Sequence, residues 1–189
     1  MSRTLFVVVV STLLVSTAAV RGQGNSRDAR SIQAELHAQH GPSTNGLLAD
    51  RVREATAIYR DLNQAIADGY GQFGGCVSGP EVGAMGVHFV NGSLVDGTLD
   101  PDHPEALIYE LKNGTARLLG VEYITPVAAW SAKHPELPVL SNQHLQIVGT
   151  PNRYHLDAFY ELHVWAWRDN PNGTFVDWNP RVSCDGAGN

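Results

Sequence analysis

Apolar residues recur at three- and four-residue steps from Leu48 through Val52, Ala55, Ile58 or Tyr59 and Leu62 to Ile66, while Arg51, Arg53, Arg60 and Asp61 fall elsewhere around the axis. That period predicts one amphipathic helix, stopped at Gly69 where a left-handed cap is expected. Its apolar stripe must cover something. After Gly75 the period shortens to two and β-branched and aromatic residues cluster, which predicts strands. Met85 to Asn91, Ala106 to Leu111, Ala116 to Ile124 and Phe159 to Trp167 are the main runs. A short one follows at Gly173 to Trp178, and Gln143 to Val148 supplies another inside an otherwise loop-like stretch from Pro126 to Arg153. Asn113-Gly114 between two alternating runs signals a hairpin, and Asn170-Pro171-Asn172-Gly173 a second turn. The expected fold class is α+β, an N-terminal amphipathic helix packed on a curled antiparallel β-sheet or small β-barrel.

A two-residue turn at Asn113-Gly114 sets a register. It pairs Leu111 with Ala116, Tyr109 with Leu118, Leu107 with Gly120 and Glu105 with Glu122 on one face, and Glu110 with Arg117 and Ile108 with Leu119 on the other. Glu110 then has a cross-strand cation. Glu122 has none, and it shares a face with Leu107, Tyr109 and Leu118, where a carboxylate needs compensation. His88 shares a face with Gly86 and Val90, and His163 with Glu161, Trp165 and Trp167. Two imidazoles and a carboxylate from separate strands, pointing into one barrel, form a three-ligand site for a divalent transition metal: zinc, iron, manganese or copper. His144 is a candidate fourth ligand; Glu161 and Tyr123 are candidates to orient an imidazole. Trp165 and Trp167 would wall a pocket for a ring or apolar ligand.

Two other readings of the same residues stay open. Without a metal, the aromatic pocket would bind a small ligand, or a His and Glu pair in it would move protons on a small organic molecule. Polar residues on strands can also be satisfied by hydrogen bonds alone, and the chain has no His-x-His or His-Glu-x-x-His signature. No catalytic residue is singled out, and the sequence sets no oligomeric state. The acidic Asp96 to Asp102 segment lacks EF-hand spacing and reads as a solvated loop. Nor is there a glycine-rich phosphate loop, a Gly-x-Ser-x-Gly elbow or a dinucleotide fingerprint.

The first residues change the setting. An apolar run from Leu5 to Val15 follows Arg3 and leads into Ser16-Thr17-Ala18-Ala19, the pattern of a cleavable secretory signal over residues 1 to 19. The run is shorter than the roughly 20 residues that span a bilayer, so no stable membrane anchor is expected. Residues 20 to 30 read as a flexible leader, and 31 to 189 as one globular domain opening with a short helix from Ser31 to His40. Cleavage removes one base and no acid, taking the formal charge from −6 to about −7, opposite to the balance that holds nucleic acid. A small molecule or a metal ion is the expected partner. The two cysteines, Cys76 and Cys184, lie in an exported chain, secreted or periplasmic, and an even count there favours a disulfide. Asn-Gly-Ser/Thr sequons at Asn91, Asn113 and Asn172 each coincide with an Asn-Gly turn that the fold needs anyway.

Several stretches resemble a family of small exported bacterial proteins of unestablished function: Met85-Gly86-Val87-His88-Phe89-Val90-Asn91, Pro104 to Glu110, Gly120-Val121-Glu122-Tyr123, and Leu162-His163-Val164-Trp165-Ala166-Trp167 through Asn179-Pro180-Arg181-Val182-Ser183-Cys184. The resemblance covers about residues 47 to 184. It implies a bacterial extracytoplasmic setting and carries no chemistry.

Overall fold

The computed structural model describes residues 44 to 187; the expected signal peptide, the leader and the helix over 31 to 40 lie outside them. The stripe that starts at Leu48 folds as three short pieces, not one helix: α1 (Thr44–Ala55), a 3-10 turn (Ala57–Arg60) and α2 (Leu62–Ala67). Two side chains divide it. The Thr56 hydroxyl donates to the Val52 carbonyl at 2.6 Å and accepts from Trp167 Nε1 at 3.0 Å, which fixes this residue inward. Asp61 is extended and accepts the Asn63 N–H at 2.9 Å, acting as the N-cap of α2, a position that must start a helix. Ile58 and Ile66 are therefore 57% and 52% exposed instead of buried. Gly69, at φ +95°, does end the helical region as expected.

The strands are β1 (Gly71–Gly79), β2 (Gly83–Val90), β3 (Ala106–Lys112), β4 (Thr115–Pro126), β5 (Val139–Leu140), β6 (Gln143–His144), β7 (Gln146–Val148) and β8 (Phe159–Val164), with a short helix α3 (Val127–Ser131) after β4. The main sheet runs β1-β2-β3-β4-β8-β7, antiparallel at every pairing. It curls into a half-barrel whose edges, β1 and β7, stay apart, so the α+β expectation with a curled sheet holds and the barrel is not closed. The expected strand over 143 to 148 is divided: β6 pairs with β5, while β7 joins the main sheet. Leu145 between them donates its N–H to the Pro138 carbonyl. No strand forms over 173 to 178, a region of turns. The run expected to reach Trp167 stops at Val164, because the N–H groups of Trp167 and Arg168 both turn to the Leu119 carbonyl.

One face of the sheet carries the larger core. Leu48, Val52 and Ala65 from the helical pieces pack there in one buried cluster with Val87, Phe89, Leu107, Tyr109, Val121 and Leu162. The opposite face has a smaller cluster of Ala84, Ile108, Leu119, Trp165 and Val182, the last from the C-terminal segment. The Cys76–Cys184 disulfide ties β1 to that segment. No helix among the described residues is long and apolar enough to cross a membrane.

The hairpin matters most for the site. Asn113 (φ 52°) and Gly114 (φ 76°) both take the left-handed conformation that a type I′ turn requires, and the pairs Leu111↔Ala116, Glu110↔Arg117 and Tyr109↔Leu118 follow as expected. Then the register slips: Ile108 pairs with Gly120, leaving Leu119 as an extra residue. Gly120 makes the bulge possible, since a Cβ there would stand 2.4 Å from the Val164 carbonyl oxygen of β8. The slip moves every later β4 side chain to the other face.

Candidate functional site

The bulge decides where Glu122 points. Without it, Glu122 would join Leu107 and Tyr109 on the helix-covered face and pair with Glu105; with it, Val121 pairs with Leu107, and Glu122 pairs with Ala106 and turns to the second face. His88 on β2 is paired with Ile108 and lies on that second face; His163 on β8 is the direct cross-strand partner of Glu122. The structure thus brings His88, Glu122 and His163 together, on the face opposite to the one the expected register gave Glu122. Ala106, beside Glu122 on β3, is only a methyl stub, so side chains from β2 and β4 meet over the intervening strand.

His88 Nε2 lies 3.3 Å from Glu122 Oε2 and 3.4 Å from His163 Nε2. Ligand-type atoms of the three residues all lie within 4.8 Å of one another. Exposure is 5% for His88, 4% for Glu122 and 1% for His163. Burial, with His163 close by, pushes the His88 imidazole down to about 3, so this ring is neutral and keeps a lone pair to donate. Burial first, and then the charge of Glu161, raise the Glu122 carboxyl well above the ordinary range.

A second set of groups stands behind His163. Its Nδ1 is buried without a hydrogen-bond partner, 3.4 Å from Asp177 Oδ1. Glu161, also on β8, completes a group with His163 and Asp177. Gln146 of β7 donates Nε2 to Glu161 Oε1 at 3.0 Å and to Asp177 Oδ1. Burial alone would raise Asp177, but the contacts with His163 and Gln146 together outweigh it and hold the carboxyl below its ordinary range. His163 thus faces ligand-type groups through Nε2 and a carboxylate through Nδ1.

Over His88 and Glu122 lies a cavity of about 100 Å³. Its remaining walls include Phe73, Val90, Ile124, Tyr154, Leu156 and Phe159. Tyr154 and Leu156 belong to a loop fastened by Asn152, whose Oδ1 accepts the N–H groups of both and whose Nδ2 donates to the Gly149 and Leu156 carbonyls. The Tyr154 ring stands 6.2 Å from that of Phe73 and 6.0 Å from that of Phe159. Burial and nearby Glu122 push the Tyr154 phenol up to about 12, so it is a neutral hydroxyl.

Other expected site residues lie elsewhere. His144 is exposed in the small β5-β6 sheet and is not in the cluster. Tyr123 faces the helix-covered core, its hydroxyl donating to the Pro101 carbonyl at 2.7 Å, because the bulge that turned Glu122 outward turned Tyr123 inward. Trp165 stacks beside His163 with ring centres 6.4 Å apart, and Trp167 reaches back to Thr56; both line a pocket, as expected, but a separate one shared with Arg53, Asp169 and Asn170 and not the cavity over His88 and Glu122. Glu161 is where expected, next to His163. Asp177, Gln146, Tyr154, Phe73 and Phe159 were not singled out from the sequence. Of these only Phe159 carried a signal, its parity with Glu161 and His163 on one strand.

No protein-family model, curated protein or solved structure matches this chain.

Proposed function

We propose that the protein is an exported metal-binding protein whose centre uses His88, Glu122 and His163 as ligands to a divalent transition metal, with open positions facing the cavity. The spacing of the donor atoms carries the reading. Ligands at roughly 2.0–2.2 Å from an ion with tetrahedral angles stand roughly 3.3–3.6 Å apart. The observed separations from His88 are 3.3 and 3.4 Å. Charge supports it too: Glu122, Glu161 and Asp177 crowd two imidazoles, and no Lys or Arg ion pair reaches the three acids among the described residues. A divalent cation supplies the compensation that buried carboxylates need. With Nε2 of His163 on the metal, its proton sits on Nδ1 facing Asp177, the carboxylate-histidine-metal arrangement that fixes a ring's tautomer. The Cys76–Cys184 bridge fits an oxidising, extracytoplasmic compartment.

Titration with cobalt(II) tests this. The wild-type chain should develop the visible absorption of a four- or five-coordinate ion, saturating at about one equivalent, and His88→Ala and Glu122→Gln should each weaken binding by about 10- to 100-fold or more. A featureless spectrum with unchanged protein stability counts against the reading. The His88 to Glu122 contact at 3.3 Å on the floor of an apolar cavity favours one alternative, proton transfer without a metal. Under that alternative chelator leaves ligand binding and turnover untouched.

A further inference from the structure

We infer that the cavity above His88 and Glu122 takes a neutral, ring-sized apolar molecule carrying a single oxygen donor, a carbonyl or hydroxyl, turned toward the metal. The inference rests on the metal reading above and names what that centre acts on. Size comes first. The cavity holds about 100 Å³. Sealed apolar cavities of about 150 Å³ accept benzene. This one is also open at a rim formed by Phe73 and Leu156, 41% and 45% exposed, so part of a ring can project between them.

The walls give the body of the ligand its character. Away from His88 and Glu122 the lining is aliphatic or aromatic, apart from the Tyr154 hydroxyl, whose contact is the Met85 sulfur at 3.9 Å. Water there finds few of the two to four polar partners that hold an ordered molecule, so an apolar body displaces it at little cost. Phe73, Tyr154 and Phe159 present ring faces and edges on one side, the arrangement against which another ring packs.

Charge selects the head. The polar floor and the groups behind it bring three carboxyl side chains, Glu122, Glu161 and Asp177, and no Lys or Arg lines the cavity. A divalent ion balances two of the three. An anionic head would add negative charge to a low-dielectric site where Arg153, whose charge reaches the Tyr154 wall, is turned over the Trp178 ring and does not line the cavity. A neutral carbonyl or hydroxyl fills an open coordination position at no such cost, and a metal acts on it as a Lewis acid.

Three probes of one shape test this on the zinc-loaded full chain: benzyl alcohol, toluene and benzoate, with binding followed by calorimetry and by chemical-shift changes at Phe73 and Tyr154. Benzyl alcohol should bind saturably and at least about tenfold more tightly than either of the others. Leu156→Trp at the exposed rim, or, if that variant fails to fold, Val95→Phe at another residue of the cavity wall, should weaken it by about tenfold while the zinc content stays at one equivalent. Benzoate as the tightest probe, or no saturable binding of any probe to protein that holds zinc, overturns this inference alone. If the chain holds no metal, the reading beneath it fails first, and its signature is equal affinity for benzyl alcohol and toluene.

Discussion

Glu105 shows how far one carboxyl can be pushed by its surroundings. It lies on the helix-covered face at 1% exposure, with one oxygen accepting the Ile124 N–H at 3.0 Å. Burial raises its pKa to about 8 against the opposing pull of the backbone hydrogen bonds. Because the folded value lies above the unfolded one, the folded state holds the proton more tightly. Its contribution to stability is complete below the ordinary carboxylate range and is lost as pH climbs through about 8. Denaturant melts across that window should show stability falling with rising pH, and Glu105→Gln should flatten the slope; an unchanged slope would assign it to another group. The same sign applies to Glu122 in the metal-free state, so metal and proton compete for it. Metal binding should therefore release protons wherever Glu122 is still protonated, read as a dependence of the calorimetric heat on buffer ionisation enthalpy, and affinity should weaken on acidification. Neither shift is written in the sequence, which puts Glu105 opposite Glu122; the structure sends the two to opposite faces.

Among the elements, the sequence showed those strands that bury side chains against the sheet's two clusters. β2, β3, β4 and β8 alternate cleanly enough to be placed within a few residues, and the Asn113-Gly114 turn set the start of the hairpin register. The bulge at Leu119 escaped because Leu118 and Leu119 are both apolar and both buried, one on each face, so the slip leaves no polar residue out of place. Gly120 within an apolar run was the available signal. β1 escaped for another reason: it is an edge strand, glycine-rich and largely exposed, with no buried face to impose a period. The helical stripe misled because Thr56 and Asp61, which interrupt it, sit off the apolar positions being counted. Two substitutions test this layer. Gly120→Ala drives a methyl toward the β8 backbone and should cost roughly 1 to 3 kcal/mol or more, with metal affinity falling alongside because Glu122 and His163 are set by the same contact. Thr56→Val keeps the volume but strands the Trp167 indole N–H, and should cost about 1 to 3 kcal/mol in a denaturant melt without touching metal affinity.

For the molecule as a whole, the half-barrel has its larger core on one face and the His88, Glu122 and His163 group on the other. The second face is closed by the C-terminal segment, which brings Val182 to Ile108 and Trp165 and is held by Cys184. The bridge spans a sequence separation of 108 residues. In the chain-entropy model it stabilises the fold by about 4 to 5 kcal/mol. Reduction should lower the unfolding free energy by an amount of that order and loosen the segment carrying Asp177; equal melts with and without reductant would show that the core alone holds the fold. The sequence supplied the cysteines and the three central ligand candidates, but not the loop from Gly149 to Asp157 that roofs the cavity, whose shape is set by two hydrogen bonds that the Asn152 side chain donates and two that it accepts, and not by any apolar period.

The proposed metal centre stands or falls on His88, Glu122 and His163. Elemental analysis of the purified chain, paired with its melting curve in zinc and in chelator, tests it most directly. About one transition-metal equivalent per chain is expected, absent from His163→Ala, with stabilisation by about 2.7 kcal/mol or more once free metal exceeds its dissociation constant a hundredfold. A metal-free chain with the same unfolding midpoint in zinc and in chelator would contradict it.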